Sequence, residues 1–205
     1  TLALDSHSSV PVDELLKHER WYDMMGENLA LYTGVSMTGR QILAQHTDSQ
    51  GNVLAIPFYC ITTDTKEYFP AELRGKVYTT NGCAAGNSAE ETLVQGLSEI
   101  VERHHQIHTI KEGLALPEIP EETLKKYSIS YAIIRFVQNN GYKVVIKDAS
   151  LGTGFPVVCA CLIDPKTGRY HTHFGAFPRF EIALQRALTE TFQGRTLQTV
   201  TQFRG

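Results

Sequence analysis

The sequence predicts an α+β fold, a mixed sheet packed against long helices, on three observations. Segments with strand texture and segments with helical periodicity are mixed rather than strictly alternating, which favours stacked layers over a regular βαβ repeat. The 205 residues, 42% apolar and 20% charged, suffice for one sizeable core. No linker, repeat or low-complexity tract marks a boundary, so residues 1–205 are expected to form a single domain. The start without methionine and the stop at "TQFRG" suggest that this domain is cut at both ends.

Residues 11–33 carry a helical pattern that opens with Pro11 near its first turn and stops at Gly34. Leu15, Leu16, Met24, Met25 and Leu29 are the expected buried residues of this arm, which spans residues 1–35 and serves packing. From Gly51 to Tyr78 the texture turns apolar and β-branched in "VLAIPFYCITT" and "KEYF", broken by Pro57 and Pro70, which predicts short strands with one at a sheet edge. Residues 79–86 read as a glycine-rich loop, and a long helix follows over about 87–111, closed by Gly113. Pro120 opens a second helical region that stops at Asn139, Asn140 and Gly141. Three strands come next, "YKVVIKDAS", "PVVCACLID" and "GRYHTHFGAF", the last two joined into a hairpin by "DPKTGR". The final helix is expected from about Pro178 to beyond Gln193.

Composition narrows the partners. A formal net charge of −3 leaves no basic surplus for phosphate backbones, so nucleic acid is not expected. No apolar run approaches the ~18 residues of a membrane span, and the first twenty residues do not read as a secretion signal, which makes the cytoplasm the simplest address. Cys60, Cys83, Cys159 and Cys161 show no CxxC spacing and read as reduced, mostly buried thiols, with Cys83 exposed in the loop.

The helix after the loop is the informative element. Asn87 followed by Glu90 reads as a capping box that starts it just after Gly86. Leu93, Leu97, Ile100 and Ile107 fall on one face, expected inside. Asn87, Glu91, Gln95, Ser98 and Glu102 form a stripe opposite, flanked by Glu99 and Arg103 and short of neutralising lysines. Helix-start amides behind a glycine loop suit an anion, and carboxylates farther along can hold phosphate through Mg²⁺. Glu91 and Glu102 lie about 16 Å apart along the axis and cannot grip one ion, whereas Glu99 and Glu102, one turn apart, can. On the last helix Arg186 and Glu190 are spaced as an i, i+4 ion pair, by default a surface feature.

Other groupings are weaker. His104 and His108 have a zinc-like spacing without HExxH, and His104 falls toward the apolar side. The "HTH" at 171–173 fits a plain strand, and "LGTG" at 151–154 a loop between strands.

Four separated motifs in order, "NGCAAGNSAEETLVQGLSEIVER" with "LPEIP", "DASLGTGFPVVCACLIDPKTG" and "FGAFPRFEIALQRALTETFQGR", resemble the YcaO family and within it the enterobacterial branch. The similarity runs from about Val77 to the C-terminus, the core that carries the family motifs. It implies an ATP- and Mg²⁺-binding protein without a Walker loop. By resemblance Asn87, Glu91, Arg103 and Arg186 hold nucleotide, and Glu99, Glu102 and Glu190 hold Mg²⁺. The family's further ATP-site residues, a lysine and a serine near the start and a second ExER-like helix, are expected to be absent from this chain.

The implied chemistry is phosphorylation of a peptide backbone amide in cyclodehydration or thioamidation, or an accessory role in ribosomal protein β-methylthiolation. The implied partners are a peptide or protein substrate, a radical methylthiotransferase system and a second copy in a homodimer. Two alternatives stand beside it: a non-catalytic interaction or dimerisation module that keeps the fold, and a metal hydrolase using the same acids without nucleotide.

Overall fold

The computed structural model describes residues 2–3, 7–60, 63–73, 81–197 and 199. The chain divides into two compact units, Thr1–Thr79 and Thr80–Gly205. No helix among the described residues is long and apolar enough to cross a membrane.

The first unit is built on an antiparallel sheet. Strand β3 (Asn52–Cys60) is its centre, with β1 (Leu2–Ala3) and β2 (Ser8–Pro11) on one edge and β4 (Thr65–Pro70) on the other. Pro57, which has no N–H to give, pairs with Tyr68 on one edge and on the other falls between the registers of β2 and β1. The expected helix over 11–33 is divided: Pro11 ends β2, and a one-turn helix α1 (Val12–Leu15) and a 3-10 turn (Leu16–His18) precede α2 (Glu19–Thr33). Gly34 ends α2 in the left-handed conformation, as its position predicts. Of the residues expected inside, Leu15 is buried, whereas Met24 and Leu29 are exposed and Tyr22 takes the interior place. A further helix, α3 (Gly39–Ala44), begins with a capping box between Thr38 and Gln41.

The second unit holds a three-stranded antiparallel sheet, β5 (Lys143–Asp148), β6 (Val157–Ile163) and β7 (Tyr170–Ala176), with β6 in the middle. The hairpin between β6 and β7 is closed as expected, with the Asp164 carboxylate accepting from the Lys166 N–H at 2.9 Å and the Thr167 hydroxyl at 2.8 Å. Because side chains alternate along β6, Val158 and Ala160 join Ile134, Leu184 and Leu188 in one cluster, while Val157 and Cys159 join Phe174, Ala176 and Val101 in another. Helices α6 (Ser128–Asn139) and α7 (Phe180–Glu190) belong to the first cluster, and α4 (Ala89–Lys111) supplies Val101 to the second. The helical region opened by Pro120 splits into a single turn, α5 (Glu121–Leu124), and α6. Helix α7 ends at Glu190, earlier than expected. Its tight seat on the sheet depends on Gly175: a Cβ there would lie 2.5 Å from the Ala183 carbonyl oxygen and 2.4 Å from the Ala187 nitrogen.

Candidate functional site

The start of α4 is fixed one residue later than the expected Asn87–Glu90 box. Ser88, in extended backbone conformation, is the N-cap and accepts from the Glu91 N–H at 3.2 Å. The Glu91 carboxylate reaches back to the Asn87 N–H at 2.8 Å and to Asn87 Nδ2 at 3.1 Å. Asn87 and Glu91 are therefore partners of each other at the exposed helix start.

The helix presents the opposite face to that expected. Ser98, Glu102, His105 and Thr109 are buried, whereas Leu97, Ile100 and Ile107, expected inside, are half or more exposed and Leu93 is half-buried. Burying a polar helix face is tolerable where its groups bond locally. The Ser98 hydroxyl donates to the Val94 carbonyl at 2.6 Å and His105 Nδ1 to the Val101 carbonyl at 2.8 Å. Gly96 lets the preceding loop lie close, since a Cβ there would meet the Gly82 carbonyl oxygen at 2.6 Å.

Glu102 is the centre of the arrangement. It is 2% exposed, and its carboxyl is pushed up to about 7, first by burial and then by the neighbouring charge of Glu190. Arg103 and Arg186 pull the other way, and the Ala176 backbone N–H on edge strand β7 donates to it. Glu190 lies 3.7 Å from Arg186 Nε and 3.6 Å from His173 Nδ1. Arg186 Nη1 donates to Gln95 Oε1 at 2.5 Å, which ties α7 to α4. Arg186 and Glu190 are half-buried, so this pair is not the fully solvated feature that its spacing suggests by default.

Of the residues proposed from the sequence, the structure brings Glu102, Arg186 and Glu190 together. Glu99 and Arg103 stand beside them as a pair 4.0 Å apart, with Glu99 accepting from the Gly82 N–H at 3.2 Å. Asn87 and Glu91 lie at the other end of the stripe, and between the two groups Glu91, Val94, Gln95 and Phe177 line a hollow of about 290 Å³. Three participants escaped the sequence reading of the site: Gln95, seen only as part of the stripe, His173, dismissed as a strand residue, and Phe177. None had a local signal, because each acquires its role from contacts far away in the chain. A smaller hollow of about 120 Å³, lined by residues such as Ile119, Tyr131 and Ile146, shares no residue with these groups.

The donor set suits a hard cation that arrives with part of its own coordination. Glu102 is a buried carboxyl beside a second one, held by the Ala176 backbone N–H. Among the described residues no three His, Cys, Asp or Glu side chains converge as a metal cage. Mg²⁺ binds through one or two carboxylates, keeping waters and taking phosphate oxygens, so two acids with Arg186 close by fit a Mg²⁺–polyphosphate better than a bare ion. The His104 and His108 rings are stacked 6.3 Å apart, and His104 is exposed. Cys83 is exposed and Cys159 buried, with burial raising the Cys159 thiol to about 11.

Residues 18–203 match the family model described as YcaO cyclodehydratase, ATP- and Mg²⁺-binding. An uncharacterised protein of Haemophilus influenzae is 37% identical over 151 residues, 74% of this chain and 26% of that one. The ribosomal protein S12 methylthiotransferase accessory factor of Escherichia coli is 35% identical over 168 residues, 82% of this chain and 29% of that one. The chain thus spans under a third of these relatives' length. The heterocyclase TruD shares the fold, with a TM-score of 0.61 at 21% identity over 91% of this chain and 30% of that one. A Methanopyrus kandleri protein bound with AMPPCP and Mg²⁺ gives a TM-score of 0.56 at 27% identity, covering 72% of this chain and 41% of that one.

Proposed function

The chain belongs to the YcaO family, and from that premise we propose that it binds ATP with Mg²⁺ along α4 and against α7, in the service of activating a peptide backbone amide. The observation that carries this is the pair of acids, buried Glu102 and half-buried Glu190, with Arg186 bonded to Gln95 across from them. A nucleoside triphosphate is long enough to reach from Asn87 and Glu91 past the hollow at Phe177 to Glu102. Bound there, Mg²⁺ supplies charge neutralisation at the phosphates. Arg186 and Arg103 offset the charge that develops when the γ-phosphoryl group passes to an amide oxygen, and Gln95 keeps the Arg186 guanidinium aimed. A cytoplasmic address, where ATP is at hand, goes with this reading. So does a peptide or protein substrate, and by its likeness to the Escherichia coli relative a place beside a radical methylthiotransferase system.

Titration calorimetry with ATP and Mg²⁺ tests the proposal. Nucleotide binding that requires metal is expected. Glu102→Ala should weaken it on the order of a thousandfold, as removal of one buried charged partner does, with the circular dichroism spectrum unchanged. Metal binding without nucleotide would instead indicate a hydrolase. Binding of neither would indicate a non-catalytic interaction module.

A further inference from the structure

Strand β5 is an outer strand of the second sheet, and residues 117–119 cover only its C-terminal half. The Ile119 N–H donates to the Ile146 carbonyl at 2.8 Å, and the Asp148 N–H donates to the Pro117 carbonyl at 2.9 Å. Pro120 then turns the chain off the edge into α5. Backbone groups of alternate strand residues face the same edge, so the N–H and carbonyl of Val144 point outward as those of Ile146 and Asp148 do. No hydrogen bond among the described residues occupies them.

Beside this bare stretch lies the hollow of about 120 Å³ bounded by α5, α6 and β5. Leu124, Ile134 and Ile146 are buried along its wall, and exposed Glu118 and Glu121 also line it. The Tyr131 hydroxyl donates to Glu121 at 2.6 Å and, with Lys125 at 3.9 Å, holds that carboxyl below its ordinary range. Glu118 has no ion-pair partner among the described residues.

We propose that this edge and hollow together bind an extended polypeptide segment carrying a lysine, added to β5 as a short antiparallel strand in line with residues 117–119. A residue opposite Val144 on such a strand exchanges both backbone hydrogen bonds with it. Its side chain then falls on the same face as that of Val144, where α6 packs and the hollow lies. The hollow is well below the roughly 300 Å³ of a small-molecule site and suits one long side chain. Apolar walls with negative charges take an aliphatic stem that ends in a cation. Two separate carboxylates suit the three rotatable donors of an ammonium better than the fixed fork of a guanidinium, which matches a single carboxylate. Main-chain pairing supplies the position and the pocket supplies the selectivity. No residue of this site belongs to the Glu102 group, and the inference does not depend on the nucleotide reading.

An NMR titration of the isotope-labelled protein with a capped peptide, a lysine flanked on each side by valine and threonine, tests it. Saturable shifts of the Val144 and Ile146 amides are expected. Replacing the peptide lysine with norleucine should weaken binding about tenfold, as loss of a charge-assisted hydrogen bond does, and glutamate should weaken it further. Methylating the backbone nitrogen of the lysine, which blocks the strand contact and spares the charge, should weaken binding by a similar factor. Glu118→Gln, a change at an exposed position, should weaken the lysine peptide severalfold and leave the norleucine peptide unaffected. Absence of binding at millimolar peptide, shifts that gather away from β5, or equal affinity for the lysine, norleucine and glutamate peptides overturns the proposal.

Discussion

Helices α4 and α7 both carry proposed ligand-site residues, yet they obey opposite packing rules. In α7 the apolar positions Ala183, Leu184, Ala187 and Leu188 are buried, and Arg186 and Glu190 are partly exposed, as amphipathic periodicity dictates. In α4 the polar positions Ser98, Glu102, His105 and Thr109 are buried, and the aliphatic ones face out. Periodicity identifies two unlike faces; which of them is inside depends on what the neighbouring layer offers. For α4 that layer is the β6–β7 side of the sheet, where an unpaired strand edge can donate to a carboxylate and α7 brings a second acid.

The contrast can be sharpened by titration. Glu102 has its folded value raised to about 7 from an ordinary 4.5, so the folded state holds its proton more tightly than the unfolded one. The sign follows: stability is greatest below about 4.5 and falls as pH rises toward and through 7, by about 3 kcal/mol for a shift of this size. Urea unfolding at pH 5 and pH 8 should show that loss in the unliganded protein, and Glu102→Gln should flatten it. An unchanged slope in the variant would mean that the burial of Glu102 is not costly.

A smaller effect is expected on the α7 side. Gly175→Ala sets a methyl against helix backbone atoms that cannot swing away, which should cost roughly 1–3 kcal/mol and lower the melting temperature by several degrees. The smallest effect should come from the outer face of α4, where Ile107→Ser is expected to alter monomer stability by less than about 0.5 kcal/mol because the side chain is already mostly in solvent. A large loss there would restore the ordinary amphipathic reading.

Much of the second unit was legible because its signals are local. The asparagine and glycine stop after α6, the turn residues Asp164 to Arg169 and the three β-branched runs each act within a few residues. The α4 boundary came within two residues, the cap passing from Asn87 to Ser88 because Ser88 has the extended backbone that a cap needs. What could not be read was anything set by distant partners. The orientation of α4, the Gln95–Arg186 bond across 91 positions and the approach of His173 to Glu190 all belong to this class. Pro11 misled for a related reason, since a residue suited to a helix start serves equally well at the end of a strand when β3 lies alongside.

Strand β7 is the outer strand of its sheet, and an outer strand with open amides can recruit a strand from another molecule. The Glu102 carboxylate sits on one of those amides, that of Ala176. That amide is therefore already taken, under the cover of α4, and is not on offer to an incoming strand.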